Sequence, residues 1–391
     1  MIASSRLAVV LVLGTTQTLA WASTYYLPAI LADRIAGAIG TSSTHFFAAF
    51  STALIVSALV GPRTGRTVDA IGGREVLAAS NVIIAIGLVA LAFARGQPTL
   101  WIAWLILGLG MGIGLYDTAF AALGRIYGVE ARSAITGITV IAGFASTLGW
   151  PLTAWAAREL GWRETCLAWA AANLLLGLPL NLLLLPKSPR ATAPAQQDGN
   201  AAVVIDRSMA VLGFAFAVSW MVVAAMAVHL PRLLEAAGAS SVEAVAAGAL
   251  IGPAQVAARI AEASLLKRFH PMLSARLAVA LHPIGAALLS CFGAGAASGA
   301  FTILHGAGSG ILTIARGTLP LALFGPAGYG HRQGLLVMPA RLAQALSPWL
   351  FGLLLAHLGA AALWCSAALA LSALAALLLV RVPEPEPPVS G

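Results

Sequence analysis

Apolar residues run along this chain in stretches of about twenty, each closed by a short polar or Gly/Pro-rich break, and the rhythm repeats from end to end. That length is what an α-helix needs to cross the hydrocarbon of a bilayer. Twelve crossings are predicted, at roughly 7–32, 44–62, 75–94, 99–123, 133–156, 163–185, 209–232, 242–266, 276–294, 298–321, 333–356 and 360–380. An even number leaves both ends on one side of the membrane. The first run is too long for the apolar part of a cleaved signal and reads as a retained helix.

The longest polar interval falls between Pro186 and Arg207, where Pro, Gln, Asp and Gly replace apolar periodicity. It predicts an N-terminal six-helix bundle over 1–186, a flexible cytoplasmic linker over 187–207 and a C-terminal six-helix bundle over 208–381. The Pro-rich acidic tail, 382–391, is expected to be disordered. An internal repeat supports the division. Tyr26-Leu27-Pro28 matches His229-Leu230-Pro231, the glycines 108, 110 and 112 match 306, 308 and 310, and Pro151 matches Pro348, with offsets of 203, 198 and 197. The same offset of 198 lays Ala258 to Phe269 over the loop after helix 2, with Lys267 on Asp69.

Composition agrees with lipid as the solvent. Of 391 residues, 60% are hydrophobic and 9% charged, against about 25% charged in soluble domains. The net charge of +8 would suggest nucleic acid on a soluble protein, but the basic residues lie in short loops between crossings, which excludes that partner. With the N-terminus inside, fourteen Lys and Arg collect on the cytoplasmic face and five (Arg34, Arg95, Arg158, Arg163 and Arg232) on the other. Both termini are therefore expected in the cytoplasm, with the chain in the cytoplasmic membrane. Cys166, Cys291 and Cys365 lie in apolar runs without metal or redox spacing, and no cofactor is expected.

One polar stretch, GPRTGRTVDAIGGREVL from Gly61 to Leu77, holds three arginines and Asp69 between two crossings and predicts a short turn at a membrane face. Its core, Gly65-Arg66-Thr67-Val68-Asp69 with Gly72-Gly73-Arg74, resembles the signature loop between the second and third helices of the major facilitator superfamily. The resemblance extends over the chain through the YYLPAI segment of helix 1, Arg132 after helix 4, a Gly149-x-Pro151 bend in helix 5 and Gly161-Trp162-Arg163 opening helix 6. It departs at Ala70, where a basic residue is usual, and at Trp104, where drug antiporters of the family carry an arginine. It implies an all-α integral membrane fold of two pseudo-symmetric bundles around a central site. It also implies that Asp69 gates by leaning on the start of helix 11, near Arg332 to Gly334, with Gly65, Gly72, Arg74 and Arg132 in the same role.

Four charges cannot escape to a loop: Asp117 in helix 4, Arg259 in helix 8, Arg316 in helix 10 and Arg341 in helix 11. Ionised groups at such depth are costly and are expected to face the interior with partners. Three arginines against one acid leave positive charge, which points to an anionic substrate, and a guanidinium fork suits a carboxylate. Arg259 and Arg341 resemble in position the basic substrate ligands of monocarboxylate transporters and oxalate/formate exchangers. The alternative for Arg259 is a structural pair with Glu262, three residues on. Asp117 and Arg316 are nearly equivalent in the repeat and are expected to meet, as a proton-sensitive gate or as a permanent ion pair. Gln17, Trp21, Tyr25, Tyr26, Ser219, Trp220 and His229 fill out the expected cavity, although Tyr and Trp near helix ends also serve as interface anchors. His305 is more simply a satisfied structural residue.

The chain is thus expected to be a secondary active transporter for a small organic anion, proton-coupled or exchanging. Efflux of amphipathic, drug-like compounds is the alternative within transport, and a transporter-derived membrane sensor the alternative outside it. No HExxH, GxSxG or P-loop pattern supports an enzyme.

Overall fold

Backbone that crosses hydrocarbon must satisfy its own N–H and C=O groups, and helices do so within one segment. The computed structural model describes residues 5–187 and 205–380, and among them every regular element is helical. Most of the expected linker and all of the acidic tail lie outside the described residues. Ten apolar helical stretches are long enough to span a membrane. Two of these, Gln97–Glu159 and Tyr329–Leu379, each hold two helices separated at Gly128 and Gly359, which makes twelve.

In chain order the helices are α1 (Arg6–Ser23 and Pro28–Ala38), α2 (Ser43–Ile71), α3 (Gly73–Ala92), α4 (Gln97–Gly114 and Tyr116–Tyr127), α5 (Ala131–Ala142 and Ala145–Glu159) and α6 (Trp162–Ala172, continued in π turns). There follow α7 (Arg207–Ala236), α8 (Ser241–Gly248 and Ile251–Ser264), α9 (Pro271–Phe292), α10 (Ala296–Phe324), α11 (Tyr329–Leu358) and α12 (Ala362–Leu379).

The predicted turn from Gly61 to Leu77 is mostly helix. α2 continues through Pro62 to Ile71, with Thr64 and Thr67 donating back to the carbonyls of Val60 and Arg63 at 3.2 and 3.0 Å. Only Gly72 turns the chain, at φ 95°, a backbone that a side chain would strain. Polarity there marks where the helix leaves the membrane and not where it ends. The bend in α5 also differs from expectation. The helix breaks at Gly143-Phe144, while Pro151 stays inside Ala145–Glu159.

The repeated glycines set the packing of each half. A Cβ on Gly108 would stand 2.6 Å from the carbonyl oxygen of Ala53 in α2, and one on Gly110 would stand 2.7 Å from Ile84 in α3. On α10, Gly306 and Gly310 lie against the carbonyls of Ile251 and Gln255 in α8, and Gly308 against Ala278 in α9. Small residues let backbones approach, so α4 lies between α2 and α3 as α10 lies between α8 and α9. Between the halves, α2 runs along α11 with Gly61 facing Gly334 and Gly65 facing Gly330, backbone on backbone. α5 meets α8 and α10. These contacts run from the end of the molecule that carries Gly72 to mid-depth, so the halves are closed at that end.

A side chain at Gly65 would overlap the carbonyl of Gly330. Gly65→Val is expected to cost the closed arrangement about 1–3 kcal/mol, in the range of overpacking substitutions. Spin labels on the exposed Arg66 and Lys267 positions should then report a longer distance between the halves than in the parent.

Candidate functional site: a buried cluster of arginines around one aspartate

Asp117 is placed by a break in α4. The helix stops at Gly114, Leu115 is extended, and a new helix begins at Tyr116, so Asp117 falls in a first turn whose amide dipoles favour a carboxylate. The Gly114 carbonyl freed by the break accepts from Gln17 Nε2 at 2.7 Å. Gln17, expected at the substrate, therefore also secures the break that presents Asp117.

Two guanidinium groups from the other half converge on this carboxylate. Arg341 Nη2 is 2.5 Å from Asp117 Oδ2 and Arg316 Nη2 is 3.3 Å from Oδ1. Arg341 also donates to the Ser57 hydroxyl on α2, and the Arg316 guanidinium lies 4.9 Å from the centre of the Trp220 ring. Gln333 Nε2 and the Tyr329 hydroxyl brace the same stretch of α10, donating to the Arg316 and Gly317 carbonyls at 3.1 and 2.5 Å. The Asp117 and Arg316 side chains, nearly equivalent in the repeat, thus meet between the halves. Arg341, expected at the substrate and to have a partner, sits in this cluster too, tied to the same carboxylate. Two cations on one anion leave the cluster with a net positive charge.

Arg259 does not pair with Glu262. Its side chain leaves α8 for α5, where Nη1 donates to the Thr139 carbonyl at 3.2 Å, packed against Gly143 at the helix break. Arg259 is 6% exposed, and no carboxylate among the described residues forms an ion pair with it. Glu262, fully buried, belongs to Arg132 instead, at 2.9 Å, with the Thr136 and Ser274 hydroxyls donating at 3.5 and 3.4 Å. Spacing of three along a helix allowed the first pairing, but the side chains diverge toward different partners.

Arg132 also donates to the carbonyls of Leu266 and Phe269, at 3.1 and 2.5 Å, and so holds the start of α5 to the end of α8. The equivalent clasp in the repeat joins α2 to α11. Asp69 accepts from the Gly330 and His331 amides at 2.9 and 2.8 Å, two residues before the expected Arg332 to Gly334. Those amides open α11, so the carboxylate meets unpaired N–H groups and the positive end of the helix dipole. Arg125 covers the end of α2 by donating to the Asp69 and Ala70 carbonyls. Arg74, half-buried, begins α3 just after the Gly72 reversal.

Aromatic rings adjoin the cluster. Trp21 is 5.1 Å from Tyr25, 5.9 Å from Tyr26 and 5.0 Å from Tyr116, and Tyr116 stacks on Phe120 at 5.3 Å. The indole N–H groups of Trp21 and Trp220 are buried without an acceptor. Tyr116, Ser57, Thr139 and Gln333 carried no sequence signal beyond polarity in an apolar run. His229 lies elsewhere, bonded to the Pro348 carbonyl at 2.7 Å, and Ser219 lines a separate cavity.

With this geometry in hand, relatives locate the family. The sequence model of the Major Facilitator Superfamily matches residues 13–302, and the chain belongs to that family. Its members are transporters and not enzymes. Among solved structures, the fold is similar to the human organic anion transporter MFSD10 (TETRAN), at 19% identity over 95% of this chain and 99% of that one, with TM-score 0.74. It is similar to the proton:xylose symporter XylE, at 16% identity over 97% of each chain and TM-score 0.75. It is also similar to the E. coli fucose:proton symporter FucP, at 14% identity over 96% of this chain and 99% of that one, with TM-score 0.73. An uncharacterized 38 kDa protein in the 23S RNA operon of Thermoproteus tenax is 32% identical over 156 residues, a match that spans 40% of each chain.

Replacing Asp117 by Asn would leave two buried guanidinium groups without their counter-charge, a loss expected to destabilise by about 3–5 kcal/mol. Adding Arg341→Gln to Asp117→Asn should recover part of that loss. Thermal unfolding of the two single variants and the double variant in detergent measures the coupling, and strict additivity would show that the residues do not act together.

Proposed function

We propose that this protein carries a small organic anion, most simply a carboxylate, across the cytoplasmic membrane by alternating access, with proton coupling or exchange. The observation that carries the reading is Arg259, a buried guanidinium at the meeting of α5 and α8 whose one hydrogen-bonded partner among the described residues is a backbone carbonyl. A buried cation without a counter-charge is costly, and an incoming carboxylate lowers that cost by accepting two parallel hydrogen bonds.

On this reading 1–186 and 208–381 rock as units joined by 187–207, with both termini in the cytoplasm. The arrangement closed at the Gly72 end is one of the states between which the halves rock. Arg341 and Arg316 form the second half of the site. A substrate carboxylate competes with Asp117 for their guanidinium groups, and an Asp117 displaced from them takes up a proton, which links cargo to proton movement. The Asp69 and Arg132 clasps hold the closed end and release when the halves rock. MFSD10 is titled an organic anion transporter, and XylE and FucP proton symporters, which is in keeping with both arms of the reading. Export of amphipathic compounds is the second reading, favoured by the cluster of Trp21, Tyr25, Tyr26 and Tyr116 beside the charges.

Proteoliposomes loaded with unlabelled lactate and offered labelled lactate, pyruvate or benzoate test the proposal. Uptake should fall about 10- to 150-fold in Arg259→Ala, as expected for loss of a charged hydrogen bond. Arg95→Ala, on the exposed surface, should leave it unchanged. Carboxylate uptake that survives Arg259→Ala would remove the proposed ligand, and resistance to amphipathic compounds that survives it would favour export.

A further inference from the structure

Two histidines inside the C-terminal half, well apart from the arginine cluster, form a hydrogen-bonded chain whose direction can be worked out. His282 on α9 and His305 on α10 are 5% exposed each, with their Nδ1 atoms 3.0 Å apart. His282 Nε2 is 3.0 Å from the Ser366 hydroxyl on α12, and that hydroxyl bonds to the Leu363 carbonyl at 2.8 Å. A carbonyl only accepts, so Ser366 donates to it, and its oxygen accepts from His282 Nε2–H. His282 in its neutral form then has a bare Nδ1, which must accept from Nδ1–H of His305. This assignment leaves Nε2 of His305 as the one imidazole nitrogen of the pair with an uncommitted lone pair.

His282 and His305 line a cavity of about 20 Å³, enough for one water, together with Ser219 of α7 and Ser309 of α10. The Ser219 hydroxyl is buried without a partner, a polar group in the wall of the same cavity. The remaining walls are Val222 and Val223 of α7, Ala278 and Val279 of α9, Gly308 and Leu312 of α10, and Ala370 of α12. The two imidazoles are the only titratable groups among these lining residues, and no carboxylate or guanidinium is among them. Along their own helices the neighbouring charges are Arg276, six residues before His282, and Arg316, eleven after His305.

We propose that His282 and His305 form a binding site for a single excess proton, received at His305 Nε2 from hydronium in this cavity. The hydronium gives up its proton and stays as water, and His305 becomes imidazolium. Its Nδ1 proton can then cross to His282 Nδ1, so either ring carries the charge. Transfer stops there, because Ser366 already spends its proton on Leu363. The pair therefore stores one proton and does not conduct protons onward. Ser219 is followed in α7 by Trp220, whose ring centre lies 4.9 Å from the Arg316 guanidinium. The inference does not depend on the cargo being a carboxylate.

The test uses the full chain in nanodiscs with isotope-labelled histidine and no transport substrate, titrated from about pH 8 to about pH 4. At the upper end, nitrogen NMR is expected to show His305 protonated at Nδ1 and bare at Nε2, with coupling across the Nδ1–Nδ1 bond. On acidification, His305 Nε2 should gain a proton. Proton uptake, read with a soluble pH dye in weak buffer, should fall by one per protein in His305→Gln, and His282→Gln, whose amide oxygen still accepts from Nδ1–H, should retain it. Two results would overturn the proposal: His305 protonated at Nε2 from the start, or equal uptake by the parent and His305→Gln. If His305→Gln fails to fold, the tautomer and titration of the parent protein decide the matter alone. Carboxylate transport enters neither measurement, so its failure would leave this site standing.

Discussion

Positive charge held at mid-depth is the constraint on which the rest of this structure depends. Arg259, Arg316 and Arg341 lie in apolar helices, and among the described residues Asp117 is the one carboxylate that forms an ion pair with any of them. A guanidinium in a poorly solvated interior must find acceptors, and the fold is shaped to supply them. α4 breaks to place Asp117 at a helix start, and α5 breaks beside the point where Arg259 enters. Trp220 offers its ring face to Arg316. Each device offsets part of the cost, and two guanidinium groups on one carboxylate leave the cluster with a net positive charge.

The two halves also meet by close backbone approach. Gly61, Gly65, Gly330 and Gly334 allow α2 and α11 to touch without side chains between them, so little interlocks along the seam. Specific bonds are concentrated at its end. Asp69 on the α11 amides and Arg132 on the α8 carbonyls are charged groups meeting helix termini or adjacent turns, strong when made and replaceable by water when parted. The two contacts are equivalent in the repeat, α2 with α11 and α8 with α5, but the charged side chain comes from α2 in one and from α5 in the other, with opposite sign. The repeat preserved the clasp and not the chemistry.

Much of the fold was legible in the chain because hydrocarbon imposes one solution on the backbone. Twelve apolar runs became twelve helices, and the glycine pairs marked where helices press together. The polar stretch after Val60 misled, since a helix need not end where it leaves lipid, and the α5 break fell at Gly143-Phe144, where the Phe144 amide bonds back to the Ile141 carbonyl, while Pro151 stays inside the helix that follows. The site was legible as a set of residues and not as a set of bonds. Asp117 and Arg316 could be brought together by the repeat offset. That Arg341 would share the same carboxylate, and that Glu262 would go to Arg132, depended on which way long side chains turn from neighbouring helices. His282 gave no sign, because a lone histidine acquires meaning only from the ring it faces.

By itself the sequence determined that this chain lives in a membrane, how often it crosses, where the two halves repeat and which charges are trapped. Those follow from length, hydropathy and the cost of burying an ion, which act residue by residue. Only the tertiary structure decided how the trapped charges divide between pairing with one another and standing open, because that depends on directions and distances between segments more than a hundred residues apart. An arginine three residues from a glutamate and one two hundred and twenty-four residues from an aspartate look unequal in the chain, and packing reversed their order.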